Sequence, residues 1–306
     1  MSSLLKRNKI INLIEYILFR IGLFFLRILP YEWGKWFTVK LFIWIGYGFG
    51  IRRHLAETHL QKVYPAMTNK QRKALLRDIY RNMGLSSAEL YLQKGKDLIS
   101  SLDLKNKENL DRALALGRGV IIATAHLGNW EAATTLPVFG YPLSAVVKKQ
   151  HNPYFDRYTN ALRTRYGMQT INLKRGVKDI ITHLKNNQIV ALLCDQNAGK
   201  SGIILDFLGY PASHWKGPVK ISLRYHIPIV PAFAVRSTNS KIQICFEPMI
   251  FYPELVDNEE GYIFLWKQLN QVIESYINRY PEQWFWVHNR WKATGAMKEN
   301  RSRMET

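Results

Sequence analysis

The stretch A-H-L-G-N-W-E places His126 five residues before Glu131. A histidine beside a carboxylate is equipped for general base catalysis. The neutral imidazole takes a hydroxyl proton, while the carboxylate fixes the tautomer and stabilises the imidazolium that forms. Such catalysis is typically worth ~10²–10⁴-fold. On one continuous helix a five-residue spacing would turn the two side chains about 140° apart. The pair therefore works only across a junction, with His126 before a helix, Glu131 in its first turn, and Gly128 and Asn129 supplying the turn and the N-cap. In that arrangement Glu131 folds back onto one imidazole nitrogen and leaves the other free. By residue type alone, a structural histidine at a strand end is the commoner arrangement.

This chemistry needs no protein nucleophile, because a substrate alcohol can itself attack an activated acyl group. Other chemistries lack their residues. There is no G-x-S-x-G elbow for a serine esterase, and Cys194 lies inside the apolar run I-V-A-L-L-C, where a buried, unreactive thiol is expected. The stretch D-Q-N-A-G-K-S resembles the end of a phosphate-binding loop. The leading glycine such a loop requires is replaced by Cys194, and G-I-I-L-D-F-L-G after it reads as strand instead of helix. Cys194 and Cys245, the only cysteines, are too few for a disulfide framework and read as reduced thiols. No metal or cofactor is implied.

The elements that must position His126 alternate. A helix over 68–94, capped by Thr68, precedes a helix over 107–116 that stops at Gly117. The run V-I-I-A-T-A then leads as a buried strand into His126, and a helix opens near Asn129. Strand S-A-V-V, a helix from Asn152 to Tyr166, strand Q-T-I-N-L, helix 176–186 and strand I-V-A-L-L-C follow. Next come helix 217–226, strands P-I-V-P-A-F-A-V and K-I-Q-I-C-F-E, a long helix over 259–279, and a closing aromatic strand W-F-W-V-H. Strands alternating with helices predict a layered α/β (αβα) fold with a largely parallel central sheet. Residues 1–60 are expected to form a membrane-associating helical segment and 61–104 a helical connection. The α/β domain is expected over 105–295, followed by a basic, disordered tail over 296–306.

The chain carries a net charge of +20, which calls for an anionic partner. Residues 10–29 are apolar enough to suggest a membrane span, but Lys9, Asn12, Glu15, Tyr16, Arg20 and Arg27 share one helical face opposite Ile, Leu and Phe. That pattern predicts a helix lying in the bilayer interface with its arginines reaching toward headgroups. Trp33, Trp36, Trp44, Tyr47 and Phe49, followed by Arg52 and Arg53, suit the same zone. No small-residue cleavage site follows, which argues against a signal peptide.

Four blocks, in order, resemble the lauroyl/myristoyl branch of the lysophospholipid acyltransferase superfamily, the enzymes of late lipid A acylation. They are A-H-L-G-N-W-E, with His126 and Glu131; H-N-P-Y-F-D-R-Y-T-N-A-L-R-T-R, with Arg163 and Arg165; R-G-V-K-D-I-I-T-H-L-K-N-N-Q-I-V-A-L-L-C-D-Q, ending in Asp195 and Gln196; and P-E-Q-W-F-W-V-H-N-R-W-K, with His288 and Arg290. Cys194 stands where the lipid A enzymes are expected to have proline. The resemblance implies an acyl thioester donor, carried by acyl carrier protein or coenzyme A, and a membrane lipid or glycolipid acceptor at the cytoplasmic face of a bacterial inner membrane. Arg163, Arg165, Lys174 and Arg175 could meet an acidic carrier or headgroup phosphates. Asn129, Asp195, Gln196 and Arg290 are the further candidates for substrate contact. The competing class is a basic binding protein without catalysis. The chain has no helix-turn-helix, zinc finger or RNA-binding motif, and no nucleic-acid partner is expected.

Overall fold

A computed structural model describes residues 2–172, 176–237 and 241–296. Among them, seven strands form one sheet in the order β1-β9-β8-β2-β5-β3-β4. The strands are β1 (Leu102–Lys105), β2 (Val120–Thr124), β3 (Leu143–Val147), β4 (Gln169–Asn172), β5 (Ile189–Leu193), β8 (Ile229–Arg236) and β9 (Ile242–Phe246). All neighbours pair in parallel except β8 with β9. A separate antiparallel hairpin joins β6 (Ile203–Phe207) to β7 (Tyr210–His214). The largely parallel α/β architecture is thus the one the alternation of elements predicts. The sheet already begins at β1, within the stretch expected to connect helices.

Strands buried on both faces read as continuous apolar runs, and β2 illustrates why. Its Ile121 and Ala123 point into one core, and its Val120 and Ile122 into another. The first core is covered by α8 (Gly176–Lys185), α9 (Gly217–Tyr225) and α10 (Glu259–Arg279), and extends to α3 (Arg53–Val63) and α4 (Asn69–Tyr91). The second is covered by α5 (Gly95–Ser100), α6 (Lys107–Leu114) and a 3-10 helix at Trp130–Phe139. Helix α4 starts where expected. Thr68 Oγ1 accepts from Gln71 N at 3.3 Å, and Gln71 Oε1 accepts from Thr68 N at 2.9 Å, a reciprocal cap.

Two local expectations are corrected. The segment after Asn129 is a 3-10 helix with Pro137 inside it, not an α-helix, and the Asn129 side chain does not cap it. The closing aromatic run is not a strand. A 3-10 turn at Pro281–Gln283 and irregular chain follow α10, and only an isolated bridge joins Trp284 to Leu127. Its alternation reflects packing, with Trp284 and Trp286 buried on either side of the half-buried Phe285.

On α1 (Ser2–Ile28) part of the polar face also touches protein, while Lys9, Glu15, Arg20 and Arg27 stay exposed. Arg27 donates to Tyr91 O at 2.7 Å and to Tyr158 Oη at 3.0 Å. Arg20 sits 4.8 Å above the Tyr158 ring, and Tyr16 stacks on Tyr154 of α7 (Pro153–Thr164). The apolar face is exposed. Leu18, Phe24, Phe25, Ile28, Trp33, Trp36 and Trp44 are each more than half exposed. An apolar surface of this extent marks an interaction site. Among the described residues no helix is long and apolar enough to cross a membrane.

Candidate active site

Strand pairing brings two distant residues together. Thr124 of β2 is in register with Leu193 of β5, and Cys194 N donates to Thr124 O at 2.8 Å. Continuing both chains two residues past these strand ends sets His126 beside Asp195. This is the crevice at the carboxyl ends of parallel strands, where such folds collect their reactive groups. His126 Nδ1 lies 2.8 Å from Asp195 Oδ1, and His126 N donates to Asp195 Oδ2 at 3.0 Å. Trp284 Nε1 donates to the same Oδ2 at 2.8 Å. The carboxylate is 3% exposed. Burial alone would raise its pKa, but the facing imidazole and the three donated hydrogen bonds together hold it below the usual carboxylate range. An ionised Asp195 can only accept, so Nδ1 carries the proton and Nε2 keeps its lone pair. Gln196 Nε2 approaches that lone pair at 3.3 Å, a neutral donor that a substrate hydroxyl can replace.

The partner expected for His126 was Glu131, and the structure corrects this. The Glu131 carboxylate is taken by the Arg163 guanidinium: Nε donates to Oε2 at 2.8 Å, and Nη2 donates to Oε1. Planar forks pair with carboxylates in this bidentate way. Both residues line the cavity described below, as do His126 and Gln196. The five-residue spacing does bring Glu131 to the site, but its lone pairs serve the arginine.

The remaining candidates divide. Asn129 is 2% exposed and is a support for the loop: its Nδ2 donates to Glu89 Oε2 at 2.7 Å and its N donates to Ala234 O at 2.8 Å. Glu89 is itself paired with Arg236 of β8, whose Nε and Nη2 donate to it at 3.0 and 2.6 Å. Arg165 is exposed and lies 4.5 Å over the Tyr166 ring, away from Glu131. Arg175, with Lys174, lies outside the described residues. Arg290 is not at the cavity but fully buried, its Nη1 donating to Ser213 O, and burial pulls its pKa down to about 10. His288 Nε2 accepts from Asn197 N at 3.2 Å and so holds the loop that carries Asp195 and Gln196.

Residue types alone did not single out what clamps the His126 loop. Gln283 O accepts from Gly128 N at 2.9 Å, and Phe285 N donates to His126 O at 3.0 Å. Ser86 Oγ donates to Gly128 O at 2.9 Å. Gly128 has φ +63°, and a Cβ there would fall 2.0 Å from Ala234 O, so the loop crosses β8 only as glycine. The signal for the contacts of Gln283 and Phe285 lay in the resemblance of the P-E-Q-W-F block.

A cavity of about 570 Å³ opens at His126, Trp130, Glu131 and Arg163 and runs over the second-core face of the sheet. Its floor includes Ala145 and Ala191, which face each other in register on β3 and β5, with Ile122 on the other side of Ala191. Small residues on adjacent strands leave the channel. Pockets of this size and apolar lining are the usual sites of small-molecule binding.

Three histidines are held neutral by burial: His59 and His288, with pKa lowered to about 4, and His214, lowered to about 3. In the unfolded chain each titrates near pH ~6.5. Between that value and the folded one the unfolded state binds more protons, so stability is full above pH ~6.5 and falls as pH drops toward 4. Thermal melting between pH 7.5 and 4.5 should show a midpoint that declines throughout the lower part of this range. A flat midpoint down to pH 4.5 would contradict the neutral burial of these rings.

His126, oriented by Asp195, thus stands beside the largely apolar cavity. Residues 5–293 match the family described as bacterial lipid A biosynthesis acyltransferase, and the chain belongs to that family. It is 25% identical over 278 residues to a lipid A biosynthesis acyltransferase of Haemophilus influenzae, covering 87% of this chain and 85% of that one. It is 21% identical over 289 residues to the lipid A biosynthesis palmitoleoyltransferase of Escherichia coli, covering 86% and 92%. A phosphatidylinositol mannoside acyltransferase of Mycolicibacterium smegmatis is 25% identical over 214 residues, 67% of each chain. The chain is an acyltransferase.

Proposed function

We propose that the protein moves a fatty acyl chain from an acyl thioester, carried by acyl carrier protein, to a hydroxyl of a glycolipid at the cytoplasmic face of a bacterial inner membrane. The observation that carries this reading is the His126–Asp195 pair at the mouth of the apolar cavity. His126 Nε2 takes the acceptor hydroxyl's proton as the oxygen attacks the thioester carbonyl. Asp195 stabilises the resulting imidazolium. When the tetrahedral intermediate collapses, the carbon–sulfur bond breaks, and the imidazolium returns the proton to the departing sulfur. The relatives reported above are named for lipid A biosynthesis and for phosphatidylinositol mannoside, both glycolipids, which supports that acceptor class. The exposed apolar face of α1 and the helix after it supports membrane attachment, and the charge of +20 suits anionic headgroups and an acidic carrier.

The test is mass spectrometry of total lipids from cells with and without the protein, and with His126→Ala. One lipid that gains an acyl chain only with the active protein names the acceptor. If folded His126→Ala protein acylates as wild type does, the mechanism is wrong. The cavity adds a sharper expectation. Ala191→Phe fills the floor beside Ala145 and Ile122, so competition between long and short thioesters should shift toward the shorter by about 10-fold or more. An unchanged product chain length would remove the acyl group from this cavity.

A further inference from the structure

A second cavity, of about 330 Å³, has in its wall Phe285, the neighbour of His126. The helix Tyr31–Phe42 continues into a π-helical turn, Ile43–Gly48, and the wider turn roofs the space. Such turns are rare and recur at functional sites. Gly46 permits it: a Cβ there would sit 2.2 Å from the Tyr80 ring, so ring and backbone meet directly. The floor is Tyr80, 2% exposed, with its hydroxyl donating to Ile51 O at 2.5 Å. The mouth is Leu41, Ile45 and Ile51, which are 45%, 37% and 56% exposed and continue the apolar surface of Trp44 and Phe49. At the rim stands the exposed Arg52, in a left-handed conformation (φ +54°) that non-glycine residues adopt at a cost. Its Nη1 donates to Val287 O at 3.1 Å, which fixes the guanidinium beside the opening.

The inner wall, Phe285, has its ring centre 6.1 Å from that of His126 and 6.2 Å from that of Trp130, which lines the first cavity. An apolar slot that opens among exposed aromatic and aliphatic side chains, with one guanidinium at its rim, matches a hydrocarbon chain ending in a phosphate. We propose that this slot binds one acyl chain of a phosphate-bearing membrane lipid, with the phosphate on Arg52. The proposal rests on the membrane-lipid reading above, and it divides the two chains of the reaction: the transferred chain lies in the cavity over the sheet, and a chain of the lipid lies under the π-helical turn.

The probe is phosphatidylglycerol carrying a mid-chain diazirine, offered both in vesicles and in mixed micelles. Photolysis followed by peptide mass spectrometry should place adducts on Met83, Tyr80 or Val287. Ile45→Trp, which fills the mouth, should reduce these adducts about tenfold, and Arg52→Gln should do likewise by removing a charge-assisted contact to phosphate. Vesicle flotation of both variants should match wild type, since the apolar faces of the first two helices are untouched. Adducts confined to those outer faces, or cavity adducts indifferent to both substitutions, overturn the proposal. Protein that fails to float but still labels the cavity in micelles refutes membrane attachment and leaves the slot standing.

Discussion

Asp195→Asn is expected to lower the transfer rate by about 10²–10⁴-fold while the protein stays folded, close to the loss in His126→Ala. The size follows from what the carboxylate faces. Asp195 accepts from three donors: His126 N, His126 Nδ1 and Trp284 Nε1. An amide has one accepting oxygen and one donating NH2 group. If its oxygen faces Nδ1, its NH2 group faces the backbone and indole N–H groups, donor against donor. If it flips to satisfy those, the NH2 group donates to Nδ1, and the imidazole must carry its proton on Nε2. The lone pair that receives the hydroxyl proton is then gone. The measurement is kcat/KM for transfer from an acyl thioester, with thermal melting as the check on folding. Trp284→Phe removes one donor and leaves the tautomer fixed, so it should cost far less. A folded Asp195→Asn enzyme with wild-type kcat/KM would refute the assignment of the orienting carboxylate.

The fold was legible because its signals are local. The strand runs, the Thr68 cap and the glycines that end helices each act within a few residues, and alternation of strand and helix allowed few architectures. The site was legible in part for the same reason. His126 could be placed at the end of β2 because V-I-I-A-T is a buried strand wherever it pairs. Its partner could not be read from spacing, because the pairing that brings Asp195 to it is set by strand register across 69 residues. Local spacing favoured Glu131, and no pattern within the block indicates that Arg163, 32 residues away, claims that carboxylate. Arg290 shows the complementary error. A cation in a motif suggests a substrate contact, but Arg290 is enclosed by the core, where it lies 4.8 Å over Phe207. For α1, amphipathicity shows that two faces differ without showing that Tyr16, Arg20 and Arg27 also meet protein.

The Glu131–Arg163 pair should behave as one unit whose halves are worth less apart than together. The Glu131 side chain is 12% exposed and that of Arg163 21%, so neither charge is well solvated once its partner is removed. Arg163→Met leaves a carboxylate at the cavity mouth without its fork, and Glu131→Gln leaves a guanidinium without its counter-charge. Each single change should therefore destabilise the fold by about 1–3 kcal/mol, the cost of an unsatisfied buried polar group. Each should also reduce kcat/KM, because both residues line the cavity entrance beside His126. The double variant Glu131→Gln/Arg163→Met removes both charges and should be less damaged than the singles predict, with a coupling of about 0.5–3 kcal/mol. Arg163→Lys should fall between, since an ammonium cannot supply two parallel donors. Melting temperature and kcat/KM for the wild type, both singles and the double close the cycle. A coupling near zero would mean that the pair does no joint work. A loss in Glu131→Gln as large as that in Asp195→Asn, with Arg163→Met nearly silent, would return the orienting role to Glu131. The structure predicts the reverse order, because the hydrogen bond that fixes the imidazole ends on Asp195.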